Sequence, residues 1–393
     1  MSAARTAGNG AVAAYFSRLD PLLLTAVIAL LSIGIIMVAS ASITSADREI
    51  GQPFYYLLRQ IAYLGAGIAA ATICFLVPLQ VWEKAGGTLL CAAFLLLIAV
   101  LIPGIGREVN GAVRWLPLGP INVQASEPAR LLILIFLSAY VARRGDMLAD
   151  TLAGFLKPMA FVVAACVLLM LQPDFGATTV LLATAMAVLF AGGARFRYFV
   201  SMLAFAVVSL AILAVASPYR MRRVTGFLDP WADPFDSGFQ LTQSLIAIGR
   251  GEVFGVGLGG SVQKLFYLPE AHTDFVFAVY AEEFGFIGVV LLVALFAILV
   301  WRTLSISARA ASMGKPFAAC LTFGLAVWLG AQAAVNIGVN MGLLPTKGLT
   351  LPLLSFGGSS LVVCCASVGL IMRAHHETSP GENKRASRRG TRS

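Results

Sequence analysis

The stretch Leu268–Trp301, LPEAHTDFVFAVYAEEFGFIGVVLLVALFAILVW, is long and apolar enough to cross a bilayer as one helix. Yet it opens with Glu270, His272 and Asp274 and carries Glu282 and Glu283 inside it. A carboxylate at the centre of a lipid-spanning helix is costly to insert, so these residues must face protein, a partner charge or a water-filled cavity.

The surrounding chain has the same character. It is 59% hydrophobic and 12% charged, with a mean hydropathy of +0.86, outside the range of soluble domains. Apolar runs predict ten spans: Pro21–Ala41, Leu57–Leu79, Gly86–Ile102, Ser126–Ala142, Leu156–Leu171, Phe175–Ala191, Phe196–Ser217, Asp274–Trp301, Pro316–Gly342 and Leu351–Met372. They lack the two-residue alternation of a barrel, so the expected fold is all-α, a polytopic membrane protein of about ten transmembrane helices.

Basic residues near span ends set the orientation. With the N-terminus inside, Arg5, Arg18, Lys84, Arg143, Arg144, Arg195, Arg197, Arg302, Arg309 and Lys315 share the inner side with the C-terminal cluster. In the short connections, only Arg48, Arg107, Arg114 and Lys347 fall outside. The expected organisation is a cytoplasmic segment 1–20, a ten-helix membrane domain 21–373, and a basic, disordered cytoplasmic tail 374–393. The first segment lacks the cleavage signature of a removable signal, so the first span is expected to be retained. The net charge of +9 resides largely in that tail and the inner loops, which fits anionic membrane lipids and not nucleic acid. The six cysteines fall within spans, without metal-ligand spacing in a loop.

One connection is long: 218–273, on the outside between the seventh and eighth spans. Long loops of mixed composition are usually functional. Within it SGFQLTQSLIAIGRG predicts a short amphipathic helix with Leu241, Leu245 and Ile248 on one face. GVGLGG reads either as a flexible or closely packed turn or as a phosphate cradle. Arg220, Arg222, Arg223, Arg250 and Lys264 in this loop could hold an anionic substrate, guanidinium groups gripping phosphates bidentately. Beneath them Asp274 is either a helix cap or a general base. His272 and Glu270 lie on the approach to it, while Glu282 and Glu283 point to different sides of the helix and read as structural, Glu282 bordering a cavity. A second outer connection carries Asn110, Arg114 and Trp115, followed by Glu127 and Arg130, which are three residues apart and able to pair. Gln332, Asn336 and Asn340 form an amide stripe, for interhelical hydrogen bonds or for substrate. Lys347 lies in the outer turn that follows, and Gly357, Gly358, Ser359 and Ser360 favour tight packing. A membrane-anchored, lipid-linked pyrophosphate fits this charge layout.

The segments NGAVRW (110–115), SEPAR (126–130), QPDFG (172–176), FLDPWADP (227–234), QSLIAIGRG (243–251), QKLFYLPEAHTDF (263–275) and NMGLLPTKGLTLPLLSFGGSS (340–360) occur in this order. The chain thereby resembles the SEDS family, bacterial peptidoglycan glycosyltransferases, and its QPDFG and PTKGLTLPLLS resemble the division branch more than the elongation branch. The resemblance implies lipid II polymerisation at the outer face of the inner membrane, inversion at the anomeric carbon, and loss of undecaprenyl pyrophosphate. It further implies an essential aspartate at Asp274, an acid–base pair at Glu127 and Arg130, a class B penicillin-binding protein and other divisome proteins as partners, and enrichment at the septum. No cofactor is certain; a divalent cation, Mg or Mn, at Asp274 is compatible. Ala125, Pro128 and Arg130 stand where the family usually has proline, a non-proline residue and lysine; Glu252 and Phe356 replace glycine and tyrosine. The rival readings are a lipid II flippase or transporter, or a division scaffold without catalysis. A transporter would carry charge near the midplane in related halves, whereas here charge gathers at one outer loop and one helix start, with no internal repeat.

The charge asymmetry predicts that a reporter active only outside the membrane will be active when fused within 218–273 and silent when fused after Arg373; the opposite pair of signals would invert the assignment.

Overall fold

The structure is a computed structural model describing residues 19–109, 112–119, 121–215, 227, 229–235, 238–265, 268–345 and 348–379. Its helices are α1 Pro21–Ile50, α2 Tyr55–Leu76, α3 Leu79–Leu101, α4 Ser126–Asp150, α5 Leu152–Leu171, α6 Phe175–Ala191, α7 Phe196–Val215, α8 Phe239–Arg250, α9 Val276–Ser312, α10 Pro316–Asn340 and α11 Gly358–Thr378. Ten of these occupy the ten expected spans and α8 is the amphipathic loop helix. Seven are long and apolar enough to cross a membrane, and α6 is a shorter apolar helix.

The interior belongs to α11, 94% of whose most apolar window is buried. It packs on α2 through small residues: a Cβ on Gly369 would lie 2.3 Å from the Ala71 carbonyl oxygen, and Gly67 faces Cys365. In lipid, where apolar burial drives no association, such close backbone approach supplies the attraction. The expected last span began at Leu351, but α11 begins at Gly358. Residues 351–356 instead form a buried turn, in which Leu353 has φ +64°, the Leu354 and Ser355 amides bond the Leu351 carbonyl, and the Ser355 hydroxyl accepts from the Leu351 amide at 2.8 Å. The left-handed backbone at Leu353 is incompatible with regular helix through this stretch. At the other end α11 runs past the expected boundary of the tail: Ala374 to Thr378 are helical and buried, apart from the half-buried Glu377. There Glu377 accepts from the Leu79 amide at 3.0 Å and from Arg373 Nε at 2.7 Å. Nearby, Asp20 caps α1 and pairs with Arg302 at 2.7 Å. Burial pushes its carboxyl up, but the Arg302 and Leu23 hydrogen bonds hold it below its ordinary value.

Two features were not legible as spans. The strands β1 Arg107–Val109, β2 Ala112–Leu118 and β3 Ile121–Gln124 form an antiparallel sheet in the order β1-β2-β3, with Trp115 opposite Gln124. The second is a break in α9 at Gly285, with φ +63° and ψ −164°. The break releases backbone groups that helix would have satisfied, and residues 252–257 take them up. Val256 and Gly257 amides donate to the Glu282 and Glu283 carbonyls, at 3.0 and 3.1 Å, while Phe286 and Ile287 amides donate to Glu252 and Val253. The start of GVGLGG is therefore closely packed, set against α9 so tightly that a Cβ on Gly255 would lie 2.2 Å from the Glu283 carbonyl oxygen, while Gly257 and Gly259 have open space where a Cβ would stand.

Gly285→Ala adds a Cβ 2.3 Å from the Gly255 nitrogen at a positive φ. Strain of about 1–3 kcal/mol, before any clash, should lower the melting temperature in detergent; unchanged melting would show that the break tolerates a side chain.

Candidate active site

Asp274 precedes α9 by two residues, with Phe275 in the N-cap position, so it stands outside the helix the sequence placed it in. Its position is set through its backbone: the Asp274 carbonyl accepts from Asn336 Nδ2 at 2.9 Å and Asn340 Nδ2 at 3.1 Å. Asn336 also bonds the Leu349 carbonyl, and Gln332 Nε2 bonds that of Thr350 at 3.0 Å. All three amides are buried, so the stripe on α10 makes structural hydrogen bonds that join the Asp274 turn before α9 to the 349–350 segment. The preceding turn reverses at Glu270, φ +55°, whose carbonyl accepts from the Thr273 and Phe275 amides.

Asp274 lines a cavity of about 500 Å³. The sheet contributes Arg114 and Gln124, the start of α6 contributes Asp174, and Glu270, Thr350 and Ser359 lie on further parts of the wall. Gly348 leaves room beside Asp274, since a Cβ there would sit 3.2 Å from Oδ2. Arg114 is the basic residue on this wall among the described residues, and it is fixed by donating to the carbonyls of Gln172 at 3.0 Å and Pro173 at 2.7 Å. Asp174, which the sequence reading did not single out, caps α6 through the Ala177 amide at 3.0 Å. Its other oxygen accepts from Gln124 at 3.2 Å and Ser126 at 3.1 Å. An aspartate three residues before a helical amide was a readable cap signal; its place on the cavity wall was not.

Glu127 and Arg130 pair as expected, both buried. They stand behind the wall: Arg130 donates to Gln332 Oε1 at 3.3 Å and lies 5.1 Å over the Trp328 ring, and Gln332 reaches Thr350 at the cavity. The planar fork of arginine lets one side chain serve Glu127 and Gln332 together, a geometry a lysine amine lacks.

Other expected substrate contacts are engaged elsewhere. Arg250 pairs with Glu282 at 3.1 Å and Lys264 with Glu283 at 2.7 Å, both away from the Asp274 cavity. Glu282 also accepts from Ser261 and from the Val262 amide at 3.1 Å; Glu283 accepts from Ser40 of α1 at 2.7 Å. The two glutamates thus serve different partners, but Glu282 does not border the Asp274 cavity: it is fully buried among these donors, where segment 250–262 packs on α9. His272 packs on Tyr56 and Phe356, ring centroids 4.6 and 5.6 Å away. Burial lowers its pKa against the opposing charges of Glu270 and Glu49, which favours neutral imidazole. Asn110, Arg220, Arg222, Arg223 and Lys347 lie outside the described residues. Among the described residues no three His, Cys, Asp or Glu side chains converge as metal ligands.

A helical membrane bundle with a polar, carboxylate-bearing cavity at one end defines a membrane-embedded protein suited to a polar group carried on a lipid. Residues 21–380 match the family described as cell cycle protein, named for FtsW, RodA and SpoVE, and the chain belongs to this family, the SEDS family. It is 52% identical to the probable peptidoglycan glycosyltransferase FtsW of Thioalkalivibrio sulfidiphilus over 96% of this chain and 94% of that protein. The corresponding protein of Legionella pneumophila is 51% identical over 91% of each. Among solved structures, a chain of a peptidoglycan synthase complex that coordinates polymerization and crosslinking superposes with a TM-score of 0.75 at 32% identity, covering 92% of this chain and 99% of that one. The rod shape determining protein RodA of Thermus thermophilus gives 0.68 at 29% identity, over 91% and 97%.

Removing one member of a buried ion pair costs about 3–5 kcal/mol through the charge left behind. Glu127→Ala should therefore lower both the melting temperature and activity; unchanged values for both would show that the pair supports neither.

Proposed function

We propose that this chain is the septal peptidoglycan glycosyltransferase of its cell, polymerising lipid II into glycan strands at the outer face of the cytoplasmic membrane during division. The observation that carries this reading is the Asp274 carboxylate on a polar cavity, with its backbone carbonyl clamped by Asn336 and Asn340. Family membership and relatives named peptidoglycan glycosyltransferase support the activity. Asp274 takes the proton from the 4-hydroxyl of one lipid II as that oxygen attacks the anomeric carbon of a lipid-linked chain. The α-linked pyrophosphate departs with the undecaprenyl lipid, and a β-glycosidic bond forms. One base and a stabilised leaving group suffice for such a displacement, so no second carboxylate need become covalently attached. Arg114 is the described cation on the cavity wall for the departing phosphates; Arg220, Arg222, Arg223 and Lys347 are further candidates. A divalent cation at Asp274 would draw its remaining ligands from the pyrophosphate and water, as Mg²⁺ commonly does.

Arg250 and Lys264 are neutralised by Glu282 and Glu283, which favours a structural role for them over substrate binding. This pairing also weakens the transporter reading, since it leaves the charges inside α9 already compensated. The partner in this reading is a class B penicillin-binding protein, supported by the structural neighbour from a complex of polymerization and crosslinking. Both termini are cytoplasmic and the protein gathers at the septum.

General base catalysis contributes about 10²–10⁴-fold. Asp274→Asn should reduce polymerisation of purified lipid II, with the partner present, by that order while melting and partner binding stay at parent values. If Asp274 binds a cation, excess divalent metal should restore part of the rate. Polymerisation at the parent rate, with no other polymerase present, would overturn both versions.

A further inference from the structure

At the end of α4 remote from Asp274, helices α3, α4 and α5 enclose a groove of about 480 Å³. Ser126, beside the catalytic cavity, and residues 140–144, at this groove, are 14–18 positions apart on one helix, roughly 20–27 Å along its axis. The groove is a separate site. Its floor is aromatic: Phe136 meets Phe161 edge-on at 5.7 Å and Tyr140 at 6.2 Å, and the Tyr140 hydroxyl is tied to the Gly154 carbonyl at 2.8 Å. Its rim is basic, made by Arg143, Arg144 and Lys157.

Elsewhere in the bundle Arg130, Arg250, Lys264, Arg302 and Arg373 each have a carboxylate partner. Arg143 donates to the Glu83 carbonyl and Arg144 lies over the Tyr140 ring at 5.7 Å, but among the described residues none of the three cations pairs with a carboxylate. Three like charges around one concavity repel one another unless an anion joins them. Phe161 of the lining is 45% exposed, and Leu156, next to Lys157 in the sequence, is 49% exposed, so apolar surface continues from the groove.

We propose that this groove binds the headgroup of an anionic phospholipid, cardiolipin ahead of phosphatidylglycerol, with acyl chains running along Leu156 and Phe161. Two phosphates match a three-cation rim better than one, and guanidinium groups grip phosphate oxygens bidentately. Basic pockets between spans at the cytoplasmic surface suit such headgroups. Assigning this face to the cytoplasmic leaflet rests on the orientation proposed above; the binding itself is tested without reference to orientation or polymerisation.

The full-length protein is reconstituted in phosphatidylethanolamine nanodiscs and titrated with cardiolipin, and retained lipid is counted by native mass spectrometry. Each basic residue near an anionic surface contributes about fivefold, so Arg144→Gln with Lys157→Gln should weaken cardiolipin binding about thirtyfold, with melting in the absence of cardiolipin unchanged. If that double variant does not fold, Lys157→Gln alone should weaken binding about fivefold. Arg197→Gln removes an exposed cation of the same face outside the groove, and should leave binding within about twofold. Equal losses in Arg197→Gln and the groove variants would reduce the effect to general attraction of a basic face and overturn the site. Displacement of cardiolipin by inorganic phosphate at millimolar concentration would make it a site for free anions. Tighter binding of lipid II than of cardiolipin would make it a substrate site, and either result overturns the proposal.

Discussion

Within the hydrocarbon core of a bilayer every backbone and charged group must find its partner inside the protein, because acyl chains offer none. The interrupted helix α9 meets this constraint in its most demanding form. Its break at Gly285 frees carbonyls and amides, and residues 252–257 pair with four of them, two as donors and two as acceptors. The adjoining carboxylates are met in the same way, Glu282 by Arg250, Ser261 and the Val262 amide, and Glu283 by Lys264 and Ser40. Segment 250–264 is thereby bolted to α9 and, through Ser40, to α1, which accounts for a long loop held to the bundle by buried contacts.

The Asp274 cavity, the proposed catalytic site, is assembled by a second set of internal hydrogen bonds. The α10 amides gather the carbonyls of Asp274, Leu349 and Thr350, and Arg130 joins the set through Gln332. Asp174 ties the end of the sheet and the start of α4 to α6 by accepting from Gln124, Ser126 and Ala177. Segments far apart in the chain thus share one wall. A reacting carboxylate placed on such a frame loses little orientation to loop motion, and a cavity preorganised for developing charge is the usual basis of large rate enhancement.

The two ends of α4 have different chemistry. Near Ser126 its ionic residues are buried and paired; at Arg143 and Arg144 the cations face a groove with no carboxylate partner among the described residues. The same helix therefore runs from the proposed polymerising site at one end of the bundle to the proposed lipid site at the other, without requiring that either control the other.

Hydropathy and charge alone located ten apolar segments, though not all their ends, together with the amphipathic α8 and the candidacy of Asp274, because lipid imposes a length and polarity on each segment independently of its neighbours. Asp174 was readable as a helix cap, and Glu127–Arg130 as a pair, since both depend on spacing within one helix. Tertiary structure alone decided the destinations of Arg250 and Lys264. A loop cation can reach a substrate or a buried carboxylate, and only the approach of segment 250–264 to Glu282 and Glu283 distinguishes them. The same holds for the break at Gly285, the sheet over the cavity and the buried turn at 351–356: each is stabilised by groups from distant segments, a relation local sequence cannot express.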